Sequence, residues 1–322
     1  MRRTRLGGSD VPVSQLGFGA AGIGNLYRTV QEQAAYRAVE AAWDAGIRYF
    51  DTAPHYGLGL SERRLGAALA GRPRAEYTVS TKVGRLLVPS PQTAHLRDDE
   101  GGFDVPADHV REWDFSADGV RRSLESSLDR LGLDRVDVVL LHDPDDHWRQ
   151  AVEEAYPALH ELREQGVVGA IGVGMNQWQM LHRFVVETDI DTVMLAGRYT
   201  LLDQSAQERL LPSCQERGVS VLAAGVFNSG VLATEEPGRM YDYRPVPQPV
   251  YDRAVRIAAT CRRHGVTLPQ AALAFVARHP AVATVVVGVK SVEQVARNVE
   301  LLAKPVPDAL WDDLVAEGLL DS

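Results

Sequence analysis

Along the whole chain, short apolar runs rich in β-branched residues alternate with segments of helical period, and no other feature restricts the fold so tightly. The runs are residues 15–19, 49–51, 78–82, 136–141, 168–173, 192–196, 220–223 and 282–288, eight in all. Between them apolar side chains recur every three or four residues. Ala35, Val39, Ala42 and Trp43 form one such set, and Val120, Leu124, Leu128 and Leu131 another. Val152, Ala155, Leu159 and Leu162 repeat it, as do Val292, Val295, Val299 and Leu302. Each set is one face of an amphipathic helix. Runs apolar on both faces, such as VDVVLL, belong in a parallel sheet covered by its crossover helices. Eight strand–helix units in 322 residues predict an α/β chain, 1–322 forming one (β/α)8 TIM barrel domain. Insertions stretch such a barrel beyond its usual ~250 residues. The rival is an open doubly wound sheet, but the glycines of the first turn, GFGAAGIGNL, suit a barrel loop and alone make no dinucleotide fingerprint.

Two connections, residues 83–114 and 232–249, are longer than loops usually are. They follow the third and seventh strands, on the face where barrel active sites form. Phe103, Trp113, Tyr241 and Tyr243 within them are candidate pocket walls. A net charge of -9 and a pI near 5.5 argue against an extended basic surface, hence against nucleic acid or an anionic membrane as partner. A small molecule is the expected partner, and nothing in the sequence specifies an oligomeric state. Cys214 and Cys261 are far apart in helical segments, without CxxC spacing, so neither a disulfide framework nor a zinc site is expected. With no apolar run of spanning length and no signal-peptide pattern, a cytoplasmic location is expected.

The segment GIRYFDTAPHYGLGLSERRLG carries more chemistry than folding needs. A buried strand ends in Asp51, Tyr56 lies in the turn beyond, and a helix expected to be capped by Ser61 follows. The third strand ends in Lys82 (TVSTKVG) and the fourth in His142 (VVLLHDPDDH). Taken singly, a strand-end Asp is a turn residue, a Lys snorkels, and a Tyr or His is half-packed. Strands two to four are barrel neighbours, however, so their ends converge on one mouth. A phenol of pKa about 10 exchanges protons at neutral pH only if that pKa falls by roughly three units, about 4 kcal/mol. An ammonium about 4 Å away supplies about 4 kcal/mol at an effective dielectric of about 20. Asp51 would hold Lys82 charged, and His142 would donate to a substrate oxygen.

These segments together with QLGFG and GVKSVEQVARNVELL, covering essentially the whole chain, resemble the aldo-keto reductase superfamily. The resemblance implies a (β/α)8 barrel. Its catalytic tetrad corresponds here to Asp51, Tyr56, Lys82 and His142, with hydride transfer between a nicotinamide cofactor and a carbonyl or alcohol carbon, Tyr56 moving the proton, and no metal. It places the nicotinamide amide near Asn176 and a stacking ring at Tyr199, with Ala196 where relatives carry a glutamine. It places the pyrophosphate along Phe227, Asn228 and Ser229. The adenosine end falls at Gly288, Lys290, Ser291, Gln294 and Asn298, where a helix N-terminus offers free N–H groups to a phosphate. Ser291 and Gln294 also read as a capping box. A neutral Gln294, where relatives that prefer NADP carry arginine, implies NAD preferred, with NADP tolerated through Lys290.

STKVGRLL, WDFSADGVRRSLE, LHDPDDH, GMNQ and AGRYTLLDQ further resemble the branch of that family holding aldose 1-dehydrogenases, active on sugars such as L-fucose, and pyridoxal 4-dehydrogenases. A lactone is the implied product. A buried polyol needs polar partners, and Trp113, His147, Arg198, Asp143 and Asp145 are candidates, although Asp145 and Asp146 also read as a solvated turn. A different class, a metal-dependent barrel hydrolase or isomerase, is suggested by His142, Asp143, Asp145, Asp146 and His147, but no HxH or further His/Glu cluster supports it. A non-catalytic nucleotide sensor on the same fold is disfavoured by candidates for all four catalytic groups.

Overall fold

A computed structural model describes residues 1–321. Eight parallel strands close into a barrel in chain order. They are β1 (Leu16–Gly19), β2 (Tyr49–Asp51), β3 (Thr78–Val83), β4 (Val138–His142), β5 (Ala170–Met175), β6 (Thr192–Ala196), β7 (Ser220–Ala224) and β8 (Val282–Gly288). β8 pairs with β1, Val285 opposite Leu16 and Gly288 opposite Gly19, which closes the cylinder. The expected strands are all present; the fourth and fifth begin two residues later than the apolar pattern predicts and extend to His142 and Met175.

Two layers of apolar packing follow from the alternation of side chains along each strand. Inside the cylinder lie Tyr49, Val138, Leu140, Met194, Leu222 and Val286, with Leu6, Val11 and Val13 of an N-terminal hairpin, Arg3–Arg5 paired with Pro12–Ser14, packed against them. Outside, the other strand faces meet the helices. Ala35, Val39, Ala42 and Trp43 are buried on the helix Glu32–Asp44, as their spacing predicts. The helix Val292–Ala303 instead buries Val295, Asn298 and Leu301 and leaves Val292 39 % exposed, so its inward face is rotated from the predicted stripe.

Neither long connection is structureless. The one after β3 folds into two antiparallel pairs, Arg85–Pro89 with His109–Trp113 and Arg97–Asp98 with Phe103–Pro106. The one after β7 carries a small hairpin, Met240–Tyr241 with Arg244–Pro245, turned by Asp242 and Tyr243 in the left-handed region. Ser61 is no cap: the helix Leu60–Leu69 starts after Gly59, and the buried Ser61 hydroxyl donates to Ala20 O and pairs with Thr52. Among the described residues no helix is long and apolar enough to cross a membrane.

Candidate active site

Pleating sets the geometry of the site. Ser80 and Lys82 are two residues apart on β3, so both point into the barrel toward Asp51, which ends the neighbouring β2 in register with Ser80. Lys82 Nζ donates to Asp51 Oδ1 at 2.9 Å, to Asp51 Oδ2 at 2.8 Å and to Thr52 O at 2.9 Å. Its three protons thus all have acceptors. Ser80 Oγ donates to Asp51 Oδ1 at 2.8 Å and sits 2.8 Å from the Tyr49 hydroxyl. Lys82 and Asp51 are almost fully buried. The ammonium lies 4.7 Å from the centroid of the Tyr56 ring, and the His142 ring centroid is 6.0 Å from that of Tyr56. Asp51, Tyr56, Lys82 and His142 therefore meet at one place.

The electrostatics differ from the expectation that one ammonium would bring the phenol toward neutrality. Burial pushes the Tyr56 pKa up to about 12, with Lys82 pulling it down and Asp51 pushing it up. Burial is the main reason: it outweighs the pull of Lys82, whose field on Tyr56 the Asp51 carboxylate partly offsets. Lys82 itself stays charged, because Asp51 and Tyr56 outweigh the cost of burying it. Burial, with Arg85 and Lys82 nearby, holds His142 well below the ordinary histidine range, and His55 down to about 2. Both imidazoles are neutral at physiological pH, so His142 has one N–H to donate, and Nδ1 of each ring is buried without a hydrogen-bond partner.

Two joined lobes open over this centre. One, of about 420 Å³, runs from Asn176 and Ala196 past residues 225–230 to Gly288, Lys290 and Gln294. The other, of about 470 Å³, is bounded by His55, Lys82, residues 99–103, His142 and Asp143. Leu26, Tyr27, Tyr56 and Tyr243 border both.

The longer lobe is shaped for an extended ligand with anionic groups. Backbone lines much of it, and two glycines keep it open: a Cβ on Gly22 would lie 2.8 Å from Val289 O, and Gly225 has φ 63° with Gly197 N 3.0 Å from where a Cβ would be. Asn228 Oδ1 is buried there without a partner, and the N-terminus of the helix Val292–Ala303, with Lys290 before it, closes the far end. These features fit a dinucleotide.

Of the residues expected from the sequence to hold a cofactor, Asn176, Phe227, Asn228, Ser229, Gly288, Lys290 and Gln294 line this lobe. Asn176 Nδ2 donates to Ala196 O at 3.0 Å. Three do not line it. Tyr199 is buried in the outer layer, its ring 5.0 Å from that of Phe275 and 5.6 Å from that of His279, so it is no stacking partner at the mouth. Asn298 faces the core side of its helix, and Ser291 is spent on the cap, accepting from Gln294 N while Gln294 Oε1 accepts from Lys290 N.

The expected substrate contacts shift more. Trp113 and His147 stack on each other and on Phe115 at the rim, outside the cavity lining. Arg198 donates to both carboxylate oxygens of Asp242, at 3.0 and 2.8 Å, and so pins the hairpin after β7. Phe103 and Tyr243 do wall the site, whereas Tyr241 does not. Asp145 and Asp146 lie outside both lobes; Asp143 lines the second.

Three further residues at the site carry little signal in the sequence. His55 is signalled by standing directly before Tyr56. Arg85, in TKVGR, pairs with Asp143 and lies under Trp113, its guanidinium carbon 4.4 Å from the ring centroid. Arg111 donates to both oxygens of Asp98 and, at 3.0 Å, to His55 O. The two arginines sit in the long insertion, where no periodicity announces direction. Among the described residues no three His, Cys, Asp or Glu side chains come together to hold a metal ion.

The sequence model of the Aldo/keto reductase family matches residues 15–316. The chain is 49% identical over 316 residues to D-threo-aldose 1-dehydrogenase of a Pseudomonas species, covering 97% of this chain and 96% of that protein. It is 38% identical over 335 residues to pyridoxal 4-dehydrogenase of Microbacterium luteolum, covering 98% and 97%. An aldo-keto reductase of Bacillus halodurans in its holo form superposes with a TM-score of 0.76 at 28% identity, covering 100% of this chain and 97% of that one. The chain belongs to the aldo-keto reductase family and is an oxidoreductase that uses NAD(P)H on a small-molecule substrate.

Proposed function

We propose that this oxidoreductase oxidises an aldose at C1 to its lactone, with Tyr56 as the proton carrier. The observation that carries the reading is the meeting of a buried Asp51–Lys82 pair, the Tyr56 ring and a neutral His142 where a dinucleotide-shaped lobe joins a second lobe bounded by His55 and Asp143. The similarity to an aldose 1-dehydrogenase over nearly the full length of both chains supports the substrate class.

Asp51 keeps Lys82 charged and fixed. Lys82 stabilises negative charge on the Tyr56 oxygen, and a neutral His142 orients the substrate oxygen by donating one hydrogen bond. A bound nicotinamide supplies the hydride acceptor and, when oxidised, a positive charge. With its pKa up at about 12, Tyr56 starts as the phenol. That suits it to donate a proton during carbonyl reduction; in the oxidative direction it must lose its proton first, so the rate should rise with pH. We assign NAD as the preferred partner, because Gln294 presents an amide rather than a cation at the end of the lobe, beside Lys290.

The test is turnover of L-fucose and of pyridoxal, each with NAD and with NADP, followed at the reduced-nicotinamide absorbance. Aldose turnover with higher kcat/KM on NAD is expected. Activity on pyridoxal alone would transfer the chain to the other reaction of its relatives, and strong NADP preference would overturn the cofactor assignment.

A further inference from the structure

The second lobe has a charge pattern the catalytic reading does not use. Its lining includes the carboxylates of Asp99, Glu100 and Asp143, while its one lining cation, Lys82, is paired with Asp51. The nearby guanidinium groups are engaged as well: Arg111 is clamped on buried Asp98, and Arg85 on Asp143. Asp143 is held deliberately. It follows directly on β4 with φ 45°, its N–H donates to Gly174 O at 3.0 Å, and its Oδ2 accepts from Arg85. Left-handed backbone is uncommon for a residue other than glycine, although Asp and Asn tolerate it best. The Arg85 side chain is in turn covered by Trp113 and only 14% exposed. Asp143 Oδ2 is also 3.8 Å from His142 Nε2, so the carboxylate stands beside the imidazole facing the reacting centre. His142 is more than nine-tenths buried, lines the same lobe, and has an unpartnered Nδ1.

We propose that Asp143, positioned by Arg85, is a specificity-determining residue: it accepts a hydroxyl of an uncharged polyol and rejects substrates bearing a phosphate or carboxylate. The inference rests on the second lobe being the substrate site and deepens the proposed function by naming the substrate as neutral. The physical basis is simple. A carboxylate held by Arg85 can still accept from a hydroxyl, whereas an anion entering the lobe finds its neighbouring cations Lys82, Arg85 and Arg111 already paired and meets the carboxylates of Asp99 and Glu100, which have no ion-pair partner among the described residues.

Discrimination is measured on substrate pairs that share a skeleton. L-fucose and L-galacturonate, which share one ring configuration and differ at C6, are compared in the oxidative direction, D-glyceraldehyde and D-glyceraldehyde 3-phosphate in the reductive one. The expected wild-type preference for the neutral member is about 100-fold or more in kcat/KM. Asp143→Asn keeps the shape and tolerates the backbone while freeing Arg85. It should raise KM for the neutral sugar, leave kcat within a few-fold, and move the neutral-to-anion ratio at least about tenfold toward the anion. Arg85→Lys should retain most of the discrimination, whereas Arg85→Met should raise KM for the neutral sugar. Asp146→Asn, exposed and outside the cavity, controls for a general change in charge and should leave the ratio unmoved. Equal use of neutral and anionic members by the wild type, or an unchanged ratio in Asp143→Asn, overturns the proposal. If no sugar is turned over, the aldose reading fails, and the glyceraldehyde pair still decides whether charge is selected.

Discussion

The two lobes of the cavity are built by opposite means. The longer one is largely main chain: turns after β1 and β7, glycine positions and a helix start, with Asn228 as its one buried unpartnered side-chain acceptor. The shorter one takes its character from side chains: two neutral imidazoles, aromatic walls and the carboxylates of Asp99, Glu100 and Asp143, the last braced by Arg85. A main-chain cradle suits a ligand whose chemistry never changes. A lobe made of side chains can be altered residue by residue without disturbing the barrel. Damage to the first should therefore appear as lost cofactor binding, and damage to the second as lost turnover or altered choice of substrate.

The sharpest separation comes from the junction. Tyr56→Phe removes the proton carrier and should lower kcat by about 10²- to 10⁴-fold, while a fluorescence titration with reduced nicotinamide changes little. A large loss of cofactor affinity would show that the lobes are not separable. Asp51→Asn leaves the Lys82 ammonium buried without its counter-charge, and unpairing a buried ion pair costs roughly 3–5 kcal/mol. A matching fall in the urea-unfolding free energy is expected, larger than that of Asn228→Ala in the other lobe, which loses a hydrogen bond to Gly197 O worth about 1 kcal/mol and strains a left-handed backbone.

In the main-chain lobe the effective change is an added methyl. Gly22→Ala puts a carbon 2.8 Å from Val289 O, and overpacking of this kind costs about 1–3 kcal/mol. It should weaken cofactor binding while kcat at saturating cofactor holds; unaltered binding would mean the turn gives way freely.

Acid separates the lobes too, since the neutral histidines are both in the shorter one. His142 and His55 are held below their ordinary value of 6.5 in the folded protein, His55 at about 2, so below pH 6.5 the unfolded chain binds more protons than the folded one. Stability should fall as pH drops below that value, by up to roughly 1.4 kcal/mol per pH unit for each ring. His142→Asn should flatten the slope measured by denaturant titration; an unchanged slope would place the acid sensitivity elsewhere. The smallest effect is expected from Gln294→Arg, which offers a charge to a 2'-phosphate and should raise NADP over NAD in kcat/KM by about tenfold. No change would mean that Lys290 already decides the matter.

The barrel was legible because strand and crossover helix differ in period, and the Asp51, Tyr56, Lys82 and His142 cluster because strand ends of a closed barrel must converge. Legibility stopped where side chains choose partners across long insertions. Arg198 reads as a free cation at a strand end, yet Asp242, far along the chain, accepts from both of its terminal nitrogens. Arg85 carries no signal in TKVGR, since its partner Asp143 and its cover Trp113 come from separate segments. Tyr199 fails as a mouth residue because its turn directs the ring toward Phe275. The Tyr56 pKa departs from the sequence expectation for a related reason: spacing brings Lys82 near the phenol but does not reveal that burial and Asp51 act against it.

The central claim is that Tyr56 carries the proton in this centre. The pH dependence of kcat for aldose oxidation, in the wild type and in Tyr56→Phe, tests it directly. The account predicts a wild-type rate that climbs with pH along a single ionisation and a residual rate in Tyr56→Phe that is flat. The same climbing limb in both enzymes would contradict it.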